Sequence, residues 1–87
     1  MAQWIKANGE IIDVEPKNGK DFGLDELQSF VGGYIEIVET SDFRLIVVDE
    51  EGKLKRKLYN HYATMMYGKQ NDVIVGDVLV CEPNQIK

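Results

Sequence analysis

The chain has 87 residues, 15 of them acidic and 10 basic, for a formal charge of −5. That length accommodates one hydrophobic core and no second domain, so residues 1–87 are read as a single unit. The negative balance opposes broad contact with a nucleic-acid backbone or an anionic membrane, both of which would repel it.

Trp4-Ile5-Lys6-Ala7, Asn8-Gly9 and Glu10-Ile11-Ile12-Asp13-Val14 read as two strands around a two-residue type I′ turn, because Asn and Gly both tolerate positive φ. Pro16 ends the second strand, and Lys17-Asn18-Gly19-Lys20 is turn-prone. Leu24, Leu27, Phe30 and Val31 then fall on one face of a short helix. Asp25 and Glu26 suit its first turn, and Gly32-Gly33 suits its end. Tyr34 to Glu39 and Phe43 to Val48 read as antiparallel strands joined through Thr40-Ser41-Asp42. The second is apolar on both faces except at Arg44 and belongs inside the sheet. Asp49-Glu50-Glu51-Gly52 reads as a tight turn into a third, exposed strand, Lys53-Leu54-Lys55. Asn60 is the expected N-cap of a second helix closing at Gly68, with Tyr62, Ala63, Met66 and Tyr67 on its inner face. The apolar run Asp72 to Cys81, interrupted at Gly76-Asp77, is one bulged strand or two short ones. The expected fold is α+β: a small, mainly antiparallel twisted sheet with an N-terminal hairpin and two short helices.

Small chains often gain stability from disulfides, metals or self-association. Cys81 is the sole cysteine and sits in the apolar run Val78-Leu79-Val80-Cys81, where a buried structural thiol is expected. A reducing cytoplasm suits that usage. His61 is the sole histidine and a poor basis for a metal site. Self-association remains, so a homo-oligomer is expected, with no metal and no cofactor.

Nucleophilic catalysis requires a Ser, Cys or Thr with a base in reach; Ser29, Ser41 and Thr64 carry no such motif, and the carboxylates fall in turns and helix starts. The glycines form no nucleotide fingerprint and no Walker loop. No enzymatic activity is expected. The N-terminus lacks a signal-peptide core and no segment reaches membrane-spanning length, so the expected location is the cytoplasm.

The segments Leu27-Gln28-Ser29-Phe30-Val31-Gly32-Gly33-Tyr34-Ile35-Glu36, Asp49-Glu50-Glu51-Gly52-Lys53-Leu54, Asn60 with Ala63-Thr64, and Asp72-Val73-Ile74-Val75-Gly76-Asp77 resemble, in order and spacing, an uncharacterised family of short domains of unknown function from bacteriophages, plasmids and gut bacteria. The resemblance covers residues 24–82. It implies an accessory protein of a virus or mobile element acting in the host bacterial cytoplasm, and it implies no reaction.

Two functions remain open. In the first, an oligomer sequesters a small anionic, nucleotide-derived signalling molecule in a counter-defence role. Arg44, Lys53, Lys55, Arg56, Asn60, His61 and Tyr62 are then the binding residues, because cations neutralise phosphate and aromatic rings stack on bases. In the second, an acidic protein-interaction module inhibits a host protein, carried by the net charge and the carboxylates. For the basic cluster a solvated loop, and for Arg44 a salt bridge to Glu36, are the plainer alternatives.

Overall fold

The structure is a computed structural model and describes residues 2–40, 42–68 and 72–86. Five strands form one antiparallel sheet in the order β2-β1-β5-β4-β3: β1 Ala2–Ile5, β2 Ile11–Val14, β3 Ile35–Glu39, β4 Leu45–Asp49 and β5 Val78–Cys81. Helix α1 (Leu24–Val31) covers one face and α2 (His61–Tyr67) lies on the other. The α+β class, the N-terminal hairpin and the two helices all match the sequence reading.

Alternation along the interior strands explains the two layers. Leu45, Val47, Leu79 and Cys81 face α1 with Phe22, Leu27 and Val31, whereas Ile46, Val48, Val78 and Val80 face α2 with Ala63 and Ile74. A strand apolar on both faces needs cover on both, and full burial of each such side chain contributes about 1.5–3 kcal/mol. Trp4 fastens α1 to the sheet by donating its indole N–H to the Phe30 carbonyl at 3.1 Å and meeting the Phe30 ring edge-on at 5.5 Å. Phe22, unremarkable between Asp21 and Gly23 in the sequence, is fully buried beneath α1.

The hairpin turns differ from expectation. The Gly9 N–H bonds to the Lys6 carbonyl at 3.0 Å and the Lys6 N–H to the Glu10 carbonyl at 2.8 Å. Within this loop only Gly9 has positive φ, +100°. The result is a three-residue loop with a glycine bulge; the two-residue turn would require positive φ at Asn8 as well. Between β3 and β4 the same pattern recurs: the Phe43 N–H bonds to Thr40 O at 3.1 Å and the Thr40 N–H to Arg44 O at 2.8 Å. Phe43 takes the left-handed place at φ +69°. It is therefore an exposed turn residue and not the start of β4, because pairing Glu39 with Leu45 puts the loop's third position there. Ser41, expected in this turn, lies outside the described residues.

Two further expectations are corrected. Lys53-Leu54-Lys55 is no strand: the Lys57 N–H reaches the Gly52 carbonyl and the Arg56 N–H the Lys53 carbonyl, both at 3.1 Å, with Arg56 at φ +57°. That is the six-to-one and five-to-two bonding of a Schellman turn, in which a left-handed residue closes a helical loop. Residues 72–77 are not sheet either. They form a strap alongside 58–60 through one bridge, Tyr59 to Val75, and only Val78–Cys81 joins the sheet.

Asn60 ties these parts together. It is 1% exposed, and its amide donates to the carbonyls of Ile5 (3.0 Å) and Gly76 (2.9 Å) while its side-chain oxygen accepts the Ala63 N–H (3.1 Å). It thereby caps α2 and joins β1, the strap and the helix. Asn60→Ala is expected to cost about 2–4 kcal/mol, from one lost cap and two buried carbonyls left without donors. Asn60→Asp keeps the cap acceptor but loses both donors, so it should lose most of the same stability in urea unfolding. An aspartate variant as stable as wild type would show that the two carbonyl contacts contribute nothing.

Candidate functional site

The loop from β4 to α2 holds most of the polar side chains singled out in the sequence, and its shape is set by one carboxylate. Asp49 ends β4 with its side chain only 1% accessible, and it accepts from Lys57 Nζ at 2.6 Å, Lys55 Nζ at 2.9 Å and the Glu51 N–H at 2.9 Å. Burial opposes its charge, but these donors outweigh burial and hold its pKa at about 2. Lys57 Nζ also donates to the Val31 carbonyl at 2.6 Å. It thus supplies positive charge to the C-terminus of α1, whose last turn contains no basic residue of its own.

Glycines make this approach possible. Gly32 closes α1 in the left-handed conformation at φ +82°, as expected. Gly33 has a separate role: a Cβ there would lie 2.6 Å from Lys55 Nζ and 3.0 Å from either Asp49 carboxylate oxygen. A Cβ on Gly76, at φ +79°, would lie 2.7 Å from Lys57 Cδ.

The expected anion-binding set is only partly assembled. Lys53, Lys55 and Arg56 share one loop, but Lys55 is bound to Asp49 and Lys53 to Asp72. Arg56 has no ion-pair partner among the described residues. Arg44 bonds Asp42 at 3.1 Å, not Glu36, and immediately precedes β4, about 16 Å by strand rise from Asp49, the residue that holds Lys55 and Lys57 at the strand's other end. Asn60 is buried and fully engaged within the fold. His61 lies beside Tyr59, ring centroids 6.0 Å apart, and Tyr62 is exposed, pointing away from the inner face of α2 expected for it. Ala63 is buried there as expected, with Met66 and Tyr67 packed beside it, and Thr64 is buried too, its hydroxyl accepting the Ile74 N–H at 2.8 Å.

A feature missed in the sequence is a groove of about 190 Å³ on the α2 side, where β3, β4, the Schellman loop and the strap meet. Val38, Val48, Ile74 and Val75 line it, with Glu36, Glu50 and the Lys53–Asp72 pair also on its walls. Asp72 is held below the ordinary carboxyl pKa chiefly by its hydrogen bond from Lys53. Helix α2 borders this groove through Tyr67, while Tyr62 and Met65 on the same helix are exposed; Leu58 and Tyr59 just before the helix are exposed too, and Leu58 lines a second groove with Trp4, Phe30 and Lys57. Cys81 is buried, and loss of solvation pushes its thiol up to about 11, far from a reactive thiolate. Among the described residues no group of His, Cys, Asp or Glu is placed to hold a metal ion, and no helix is long and apolar enough to cross a membrane.

Fold and site together define a small α+β domain whose interior sheet strands are covered by a helix on each side, with a shallow groove beside the second helix. The chain belongs to the family described as Domain of unknown function (DUF3846), which matches residues 5–86. Comparison with curated proteins and with solved structures finds no significant match.

Because the folded pKa of Asp49 lies below its ordinary 3.8, its contribution is present above about pH 4 and is lost as pH falls toward 2. Asp49→Asn is expected to lower stability at neutral pH by about 1–3 kcal/mol, less than a fully buried pair because Lys55 and Lys57 are partly exposed. In urea titrations the gap between wild type and variant should narrow between pH 5 and pH 2. A gap independent of pH would mean that the ion cluster is not the source of the effect. Gly33→Ala should show the same narrowing at smaller amplitude, since Lys55 can withdraw from the added methyl and the Asp49 carboxylate, 3.0 Å from it, need shift only slightly.

Proposed function

We propose that this protein is a non-catalytic protein-interaction module that docks a partner on its α2 side. The observation that carries this reading is the character of α2: in a chain where 29% of residues are charged, His61–Tyr67 contains no Asp, Glu, Lys or Arg. It nonetheless turns Tyr62 and Met65, three positions apart on the helix and 52% and 50% exposed, to solvent. An aromatic and an aliphatic side chain exposed about one turn apart on a helix without charged residues suit a protein contact. Sequestration of a small nucleotide-derived signal has less support, because Lys53, Lys55 and Arg44 are each engaged by an aspartate and Arg44 lies apart from the lysines.

The setting we propose follows the resemblance in the sequence: an accessory protein of a phage or mobile element in the bacterial cytoplasm, inhibiting a host protein. Host lysate passed over the immobilised protein should leave a defined partner bound, and Tyr62→Ser/Met65→Ser should abolish its retention while preserving the melting temperature. A folded double variant that still retains the partner would refute the assignment to α2. Loss of self-association in the same variant, seen by sedimentation, would identify a second copy of the chain as the occupant. A rise in melting temperature with cyclic or ADP-ribose-type nucleotides would restore the sequestration reading.

A further inference from the structure

We infer that the groove beside α2 receives a single basic side chain, lysine or arginine, from the partner protein. This rests on the protein-interaction reading and specifies the chemistry of the contact. Val38, Val48, Ile74 and Val75 supply much of its apolar lining, and Tyr67 borders it from α2. Of the charged groups that line it, Lys53 and Asp72 form an ion pair with each other and Asp49 is held by Lys55 and Lys57. Glu36 and Glu50 have no cationic partner among the described residues, so two unopposed carboxylates stand over an apolar trough.

Placement of these groups follows from the sheet. Glu36 pairs with Val48 across β3 and β4, which sets its carboxylate on the same face as Val38 and Val48. The Glu50 N–H is held by the Tyr34 carbonyl at 2.8 Å, fixing the backbone from which the second carboxylate extends. A long basic side chain matches both halves: its methylene stem covers apolar surface while its cation meets carboxylate. An anionic ligand would meet repulsion at the same rim, and a purely aliphatic one would leave both charges uncompensated. The volume of about 190 Å³ suits one side chain.

The test is a methyl and amide NMR titration of the whole chain with N-acetyl-arginine amide, using N-acetyl-norleucine amide as the uncharged counterpart. The arginine probe should shift Val38, Val48 and Ile74 resonances saturably, with a dissociation constant in the roughly millimolar range. The norleucine probe should not, and Glu36→Gln/Glu50→Gln should weaken arginine binding about tenfold. Equal response to both probes, unchanged affinity in the glutamine variant, or no response at roughly 100 mM arginine probe would overturn the inference. Tyr62→Ser/Met65→Ser leaves the groove intact and separates the two claims. Partner binding lost in that variant, together with an arginine probe that never binds, refutes the basic occupant alone. Arginine binding together with undiminished partner binding in that variant upholds the groove and refutes the role of α2.

Discussion

Asp49 is the point at which four separate parts of this small domain are held to one another. Its carboxylate draws in Lys55 and Lys57 from the loop that follows it, and Lys57 in turn reaches the last carbonyl of α1. The aliphatic portion of Lys57 passes over Gly76, so the strap before β5 is packed into the same knot. A buried carboxylate alone would be costly to ionise; three donors make the charge tolerable, and the bends of the loop are those that bring the donors to it. Without that neutralisation the lysines would have no reason to fold back, and the loop would be the solvated basic segment that its composition suggests.

The groove depends on this arrangement. One wall is the Schellman loop carrying Glu50, Lys53 and Leu54; the opposite wall is the strap 72–75; β3 and β4 supply Val38 and Val48. Asn60 holds the strap from its other end through Gly76 and the start of α2, while the Thr64 hydroxyl bonds Ile74. Two polar knots, one charged and one neutral, therefore position two irregular segments that a hydrophobic core alone would leave loosely defined. With a helix as short as His61–Tyr67, tertiary hydrogen bonds of this kind supply what propensity cannot.

Charge redistribution on folding also bears on function. Read in one dimension, Lys53 to Lys57 form a positive island in a negative protein. In three dimensions Lys53 is paired with Asp72, Lys55 and Lys57 share Asp49, and Arg56 alone of the cluster keeps no ion-pair partner among the described residues; of those that line the groove, Glu36 and Glu50 are the carboxylates without a cationic partner. The surface of α2, uncharged and partly aromatic, is by contrast visible in its sequence, although which of its residues face outward is not.

The linear chain was enough to specify what depends on neighbours a few positions apart. Two helices with their caps at Asn60 and Gly32, two hairpins, an interior β4 apolar on both faces, and a buried Cys81 all follow from periodicity and turn chemistry, because those signals act within about a turn of helix or a pair of strand residues. Tertiary structure alone decided that Lys53-Leu54-Lys55 coils instead of extending, that Phe43 bears a left-handed turn, and that Arg44 stands apart from the lysines. Each of those outcomes is set by a partner distant in sequence or by a strand register, such as Val31, 26 residues before Lys57, and local pattern carries no information about such partners.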